Sequence, residues 1–161
     1  MRYIAYGSNM SQEQMRYRCP EAELIGVGWV SGARLEFRGR SAGNAHATLI
    51  PIRPIKGLAR PRVPVAVWDI SRSDETRLDY YEGHPNYYRK ERWEATMIGG
   101  QHITGMIYLM NGGLIGLPSD AYYRGIRDAY VQLGLGDSVG PVLERALEAS
   151  RVWTEPLPGR A

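Results

Sequence analysis

The chain has 161 residues, about the length of one ordinary domain. Hydrophobic residues make up 43% of it and charged residues 23%, near the averages for globular proteins, so a wholly disordered chain is excluded. No apolar run is long enough for a membrane-spanning helix, and the first ten residues lack the apolar core of a secretory signal. The single cysteine, Cys19, excludes an internal disulfide. Together these features predict a cytoplasmic protein with no membrane partner.

The net charge of +3 hides an uneven distribution along the chain. Residues 1–62 carry ten Arg or Lys against four Asp or Glu, whereas residues 63–161 carry ten against thirteen. A basic first half suits an anionic ligand, either a nucleic acid or a small carboxylate. The basic residues are scattered singly, which is typical of a solvated surface, and no nucleic-acid-binding motif accompanies them. We therefore expect no nucleic-acid partner.

In the first half of the chain, many short segments separated by glycine and proline favour a β-rich body. The S-x-x-Q spacing from Ser11 to Gln14 predicts a capped helix, which Pro20 ends. Loose alternation predicts a β-hairpin that turns near Gly32. The predicted elements are a strand at 2–5, a helix at 11–18, the hairpin at 25–38, a flexible loop at 39–44, a strand at 47–52, a proline-rich edge or loop at 53–64 and a buried strand at 65–70.

The second half contains three predicted helices and one predicted hairpin. Ser71 or Ser73 caps the first helix and Gly83 ends it, while Ser119 caps the second and Gly134 ends it. The predicted elements are a helix from about 71 to 81, a hairpin at 87–98 and 102–110, a helix at 119–133, an amphipathic helix from 139 to 147 and a loose tail at 152–161. This order of elements favours an α+β fold with a mainly antiparallel and possibly closed sheet.

The turn Tyr6-Gly7-Ser8-Asn9 lies between the first strand and the first helix. Glycine at its centre allows a ligand to approach the backbone more closely than a Cβ would permit. Backbone N–H groups of the turn and of the following helix start are well placed to bind an anion. An ordinary strand-to-helix turn fits the same local sequence, so the motif alone leaves both interpretations open.

Glu82 follows the predicted end of a helix, where the helix dipole disfavours an ionised carboxylate. We expect burial among Tyr80, Tyr81, Tyr87 and Tyr88 to raise its pKa further. A carboxyl group that titrates near neutrality suits a general base that later acts as an acid. A solvent-facing glutamate near a helix end fits the spacing equally well.

Tyrosine is abundant relative to phenylalanine, with 11 Tyr against one Phe. A core that needs only bulk uses Phe more often, and a buried tyrosine hydroxyl needs a hydrogen-bond partner. The surplus therefore indicates a pocket with polar groups, for which the candidates are Tyr88, Tyr122, Tyr123 and Tyr130. Packing at the edge of the core is the alternative for each of them.

Residue patterns for other chemistries do not occur in the sequence. The histidines His46, His84 and His102 match no metal-ligand spacing, and no glycine-rich nucleotide-binding loop is present. Ser8 lacks the G-x-S-x-G setting of a hydrolase nucleophile. We therefore expect no metal and no cofactor.

Taken in order, several segments resemble the γ-glutamylcyclotransferase-like family, which includes the AIG2-like proteins. The matching segments are YIAYGSNM at 3–10, ATLIP at 47–51, VWDI at 67–70, LDYYEG at 78–83, YYR at 87–89 and the pattern Pro118-Ser119-x-x-Tyr122. They cover roughly residues 1–135, and the chain is more similar to the AIG2-like branch than to the glutathione-specific branch. Residues 136–161 carry no diagnostic motif.

The resemblance implies a fold, an activity and a site. The implied fold is a small, mainly antiparallel β-barrel flanked by helices, with a domain at 1–135 and a C-terminal helix and tail at 136–161 packed on it. The implied activity, which belongs to the transferase or lyase class, converts a γ-glutamyl amide to 5-oxoproline and a free amine or amino acid. The implied site residues are Glu82 as acid and base, and Tyr6, Gly7, Ser8, Asn9, Tyr88 and Tyr122 for substrate binding.

The resemblance leaves three questions open. A non-catalytic protein of the same fold that binds a small carboxylate is the alternative to an enzyme. The leaving amine is not encoded in any readable motif, and the sequence fits either a monomer or a homodimer.

Overall fold

The computed structural model describes residues 1–40 and 43–154. Within these residues the strands are β1 (Arg2–Ala5), β2 (Glu23–Ser31), β3 (Ala33–Gly39), β4 (His46–Pro51), β5 (Arg62–Asp69), β6 (Tyr88–Met97), β7 (His102–Met110) and β8 (Leu114–Ile115). The α-helices are α1 (Gln12–Arg18), α2 (Arg72–Glu82), α3 (Asp120–Gln132) and α4 (Arg145–Thr154). Shorter helical segments lie at Ser8–Met10 and Gly136–Ser138, both 3-10, and at Val139–Glu144, which is a π-helix.

Five strands form a closed barrel in the order β1-β5-β2-β6-β7. All pairings are antiparallel except the closing contact of β1 with β7, where Tyr3 pairs with Met106. Gly105 lies beside this seam, where a Cβ would stand 2.9 Å from Ile4 Cγ1 and 3.1 Å from the Arg2 carbonyl oxygen. Since real Cβ atoms do not approach that closely, glycine lets the two strands meet. The prediction of an α+β fold with a mainly antiparallel, closed sheet is confirmed.

A second, three-stranded sheet has the order β4-β3-β8. The predicted hairpin over 25–38 is therefore wrong, because β2 pairs with β5 and β6 in the barrel while β3 pairs with β4 and β8. The turn between them is held by longer-range bonds. The Gly32 N–H donates to the Pro61 carbonyl oxygen at 2.8 Å, and the Ile52 N–H donates to the Gly32 carbonyl oxygen at 2.8 Å. These bonds direct the chain out of the barrel and into the second sheet.

The helix α2 follows its sequence signals closely. The Ser71 hydroxyl accepts from the Asp74 N–H at 3.1 Å, the Asp74 carboxylate accepts from the Ser71 N–H at 3.3 Å, and Gly83 ends the helix with a φ of 61°. This capping box and left-handed glycine fix both ends of the helix. They also fix the position of Glu82, its last residue.

The hairpin of β6 and β7 and the helix α3, capped by Ser119, also form as predicted. The strand β5 begins at Arg62 rather than at 65, so the proline-rich segment is shorter than predicted. Residues 152–154, predicted as part of a loose tail, continue α4, which contacts β3. The rest of the predicted tail, 155–161, and residues 41–42 of the predicted loop lie outside the described residues.

The strand β5 shows how the barrel obtains its core. Its six central residues, 63–68, are all buried, as expected for a continuous apolar run with β-sheet partners on both edges. In the described part of the chain, no helix has the length and apolar character needed to cross a bilayer.

Candidate active site

A small cavity lies where the end of β1, the end of α2 and the first turn of α3 meet. Its volume is about 30 Å³, enough for roughly two water molecules. Gly7, Ser8, Glu82 and Tyr122 are each partly exposed, so the cavity reaches the surface on their side. Its lining consists of Tyr3, Tyr6, Gly7, Ser8, Asn9, Ala47, Glu82, Tyr88, Tyr108 and Tyr122.

The backbone of residues 7–9 forms one wall of the cavity. The chain leaves β1 and enters the 3-10 turn Ser8–Met10, with Gly7 as the capping residue. Within the described residues, the N–H groups of Gly7, Ser8 and Asn9 donate to no other protein group. A Cβ on Gly7 would lie 3.4 Å from both Ala47 Cβ and the Tyr122 hydroxyl. Glycine therefore leaves this wall open, with its donors available to an anion.

The Glu82 carboxyl also lines the cavity. Glu82 is partly buried as a whole residue, and its carboxyl lies in the cavity, where Oε1 accepts from Asn9 Nδ2 at 2.9 Å. Burial raises the pKa of this carboxyl to about 6, while the Arg18 guanidinium and the Asn9 hydrogen bond oppose the rise. The group therefore changes its protonation state close to neutral pH, as a residue that both takes and returns a proton requires.

Tyrosine hydroxyls tie the cavity wall to the backbone. The Tyr88 hydroxyl donates to the Ala47 carbonyl oxygen at 2.9 Å, and the Ala47 N–H donates to the Tyr122 hydroxyl at 3.1 Å. The Tyr6 hydroxyl donates to the Tyr108 carbonyl oxygen at 2.6 Å. Burial raises the pKa of the Tyr6, Tyr88 and Tyr122 hydroxyls, so all three stay neutral. The wall is therefore polar but uncharged.

The structure brings the residues implied by the resemblance into one place. The residues that line the cavity include Tyr6, Gly7, Ser8, Asn9, Glu82, Tyr88 and Tyr122. Two further tyrosine candidates do not line it. Tyr123 packs against Phe37 with ring centroids 6.2 Å apart, and Tyr130 is buried in the core.

The expected neighbours of Glu82 need a correction. Tyr80 is 84% exposed and Tyr81 is 42% exposed, so neither buries the carboxyl. Successive helical residues point about 100° apart, so side chains at 80 and 81 cannot share a face with position 82. The aromatic residues that enclose Glu82 come instead from other elements, among them Tyr3 of β1 and Tyr108 of β7.

Sequence reasoning missed several members of the site. Tyr3 and Tyr108 lie in strands whose other residues are mostly apolar, and only the surplus of tyrosine over phenylalanine hinted at them. The local sequence indicates only that Gln14 and Arg18 belong to a capped helix. Their spacing of four residues places them on one face of α1, and both donate to the Asn9 side-chain oxygen.

The described residues offer no metal site, because no three His, Cys, Asp or Glu side chains among them cluster closely enough to bind an ion. The residues that line the cavity supply one titrating carboxyl, neutral tyrosine hydroxyls and backbone N–H groups.

Comparison with known proteins identifies the family of this chain. The model of the family described as "Gamma-glutamyl cyclotransferase, AIG2-like" matches residues 3–126, which include every lining residue of the cavity. The chain belongs to this family. No curated protein matches the chain.

Several solved structures of other proteins share the fold of this chain. One described as gamma-glutamyl cyclotransferase and one of an uncharacterized protein from Homo sapiens each have 24% identity, cover 99% of this chain and 90% of their own, and have a TM-score of 0.76. YkqA from Bacillus subtilis has 16% identity, covers 92% of this chain and 54% of its own, and has a TM-score of 0.73. At such identities the similarity extends to the fold alone.

Proposed function

We propose that this protein is a γ-glutamylcyclotransferase, which converts a γ-glutamyl amide to 5-oxoproline and releases the amine or amino acid. The observation that carries the proposal is the Glu82 carboxyl, which lines one small cavity together with five tyrosines and residues 7–9. Family membership supports the class of reaction.

The reaction needs little from the protein because the substrate carries its own nucleophile. The α-amine of a γ-glutamyl group attacks the γ-carbonyl carbon of the same molecule, forming a five-membered ring as the bond to the leaving nitrogen breaks. Holding the two groups at about 3–3.5 Å supplies the proximity. Glu82 takes one proton from the attacking amine and returns one to the leaving nitrogen, so atoms and charge balance. No metal, cofactor or external water enters this scheme.

The remaining site residues bind and orient the substrate in this proposal. The N–H groups of Gly7, Ser8 and Asn9 hold the α-carboxylate, and Tyr6 lines the cavity beside them. Tyr88 and Tyr122 fix the Ala47 peptide that faces Gly7.

A panel of γ-glutamyl amino acids and γ-glutamyl amines tests the proposal through the release of 5-oxoproline. Turnover of at least one member is the expected result. No release across the panel, together with a ligand-induced rise in melting temperature, would reject catalysis and support a small-carboxylate-binding protein instead.

A further inference from the structure

The Asn9 side chain is buried and makes four hydrogen bonds. Its amide nitrogen donates to the Tyr3 hydroxyl at 2.8 Å and to Glu82 Oε1 at 2.9 Å. Its oxygen accepts from Gln14 Nε2 at 2.9 Å and from an Arg18 guanidinium nitrogen at 2.9 Å. Both donor hydrogens and both acceptor positions of the amide are therefore used.

Arg18 determines which way the Asn9 amide points. A guanidinium can only donate hydrogen bonds, so the atom of Asn9 that faces it must be the oxygen. The nitrogen must then face Glu82, to which it can donate. Rotation of the amide by half a turn would set nitrogen against guanidinium and oxygen against carboxylate, two repulsive contacts in place of two favourable ones.

The guanidinium is itself held in place. It lies over the Tyr81 ring, 4.6 Å from the centroid, in a cation–π contact. Gln14, one helical turn earlier on α1, also donates to the Ser8 hydroxyl at 2.8 Å, which ties the helix to the turn that forms the anion-binding wall. Tyr81 does not bury Glu82, but its ring helps to hold the Arg18 guanidinium in position.

We propose that Arg18, assisted by Gln14, is a positioning residue that locks the Asn9 amide with its nitrogen toward Glu82. Oε1 of Glu82 thereby accepts a hydrogen bond from Asn9. Oε2 has no hydrogen-bond partner among the described residues and is available to accept the proton of the substrate amine. The inference rests on the proposed function for the role of Glu82, and it adds residues that touch neither the substrate nor the cavity.

Arg18 also supplies charge to the site. The titratable groups that interact electrostatically with Glu82 are Tyr3 of β1, Tyr6 after β1, Arg18 of α1, Cys19 after α1, Tyr88 of β6, Tyr108 of β7 and Tyr122 of α3. Burial raises the pKa of each tyrosine hydroxyl and of the Cys19 thiol, so these groups are neutral at physiological pH. Within this set, Arg18 is the single cation that favours the ionised carboxylate.

Two variants separate the charge of Arg18 from its hydrogen bond. Arg18→Gln removes the charge and keeps a donor for the Asn9 oxygen, whereas Arg18→Met removes both and keeps the length of the side chain. Arg16→Met, at an exposed position of the same helix, is the matched control. Circular dichroism establishes that each variant is folded before it is compared.

The decisive measurement is a titration of Glu82 by NMR in protein labelled with carbon-13 at glutamate carboxyls, with Glu82→Gln used to assign the resonance. Arg18→Gln should raise the midpoint by about one pH unit, the lower end of the effect of a nearby opposite charge. Arg18→Met should raise it further, because the Asn9 hydrogen bond that also lowers the pKa of Glu82 is then lost. Arg16→Met should leave it unchanged. An unchanged midpoint in both Arg18 variants would overturn the inference, and this readout does not depend on turnover.

Turnover tests the orientation of the amide. At a pH where Glu82 is ionised in every variant, Arg18→Met should lose about 10- to 100-fold in kcat because the carboxyl is misplaced, whereas Arg18→Gln should retain most of it. Equal losses in both variants would refute the orientation role. Absence of turnover in the wild type would reject the proposed function. The NMR titration would then decide the inference, because equal midpoints in Arg18→Met and Arg18→Gln would show that the Asn9 hydrogen bond to Glu82 does not depend on Arg18.

Discussion

Replacing Glu82 by glutamine should make the protein more stable at neutral and alkaline pH. The substitution keeps the shape of the side chain and the acceptor for the Asn9 amide, and it removes a charge from an enclosed cavity. Sites that hold a group for chemistry commonly do so at a cost in stability. The pH dependence of this gain in stability distinguishes a carboxyl whose pKa is raised by burial from one that is well solvated.

The magnitude follows from the difference between the two pKa values of Glu82. The folded protein raises the pKa from 4.5 to about 6, and each unit corresponds to about 1.4 kcal/mol. Below pH 4.5 the group is protonated in both folded and unfolded chains, so it carries no penalty. As the pH rises through 6, ionisation of the buried group removes about 2 kcal/mol of stability, which the glutamine variant retains.

Urea unfolding at several pH values between 4 and 8 measures this difference. The free energy of unfolding of Glu82→Gln minus that of the wild type should increase by about 2 kcal/mol across the range. Glu13→Gln, at an exposed position of α1, controls for the loss of a surface charge and should stay within about 0.5 kcal/mol of the wild type. A difference for Glu82→Gln that stays flat with pH would refute the assignment of a raised pKa.

Three further substitutions probe the wall, the tyrosine bonds and the helix that carries Glu82. Gly7→Ala places a methyl group 3.4 Å from the Tyr122 hydroxyl. KM for the best substrate should therefore rise several-fold, with little change in the unfolding midpoint. An unchanged KM would contradict a role of residues 7–9 in anchoring the substrate. Tyr88→Phe leaves the buried Ala47 carbonyl without its partner and should lower the free energy of unfolding by about 1–3 kcal/mol, whereas a loss near zero in urea melts would count against this bond. Ser71→Ala removes the capping box of α2 and should cost about 1 kcal/mol, with kcat per folded molecule retained; a loss of kcat at full folding would show that the cap acts on the site directly.

Local signals in the sequence predicted the elements that depend on local interactions. The signals for helix α2 all lie within its own segment: a cap at Ser71, acidic residues in the first turn and a glycine at the end. The helix forms as predicted. The same is true of the hairpin of β6 and β7, whose two strands are joined by a short turn at Gly99-Gly100. The position of Glu82 at the end of α2 was therefore predictable as well.

Partners that are distant in sequence could not be predicted in this way. Alternation over 25–38 marks two strands correctly, but strand pairing depends on which edge each strand meets. The bonds that separate β2 from β3 come from Pro61 and Ile52, some 20 to 30 residues further along the chain. The enclosure of Glu82 by Tyr3 and Tyr108 depends on the closed barrel for the same reason.

The central claim is that Glu82 transfers the proton in the release of 5-oxoproline. Its most direct test compares Glu82→Gln with the wild type on the best γ-glutamyl substrate of the panel, measuring kcat by 5-oxoproline release and substrate affinity by calorimetry. We expect Glu82→Gln to lose about 10²- to 10⁴-fold in kcat and to keep most of its substrate affinity, the range expected when a general acid and base is removed. Turnover by Glu82→Gln within about twofold of the wild type, far less than the contribution of a general acid and base, would contradict it.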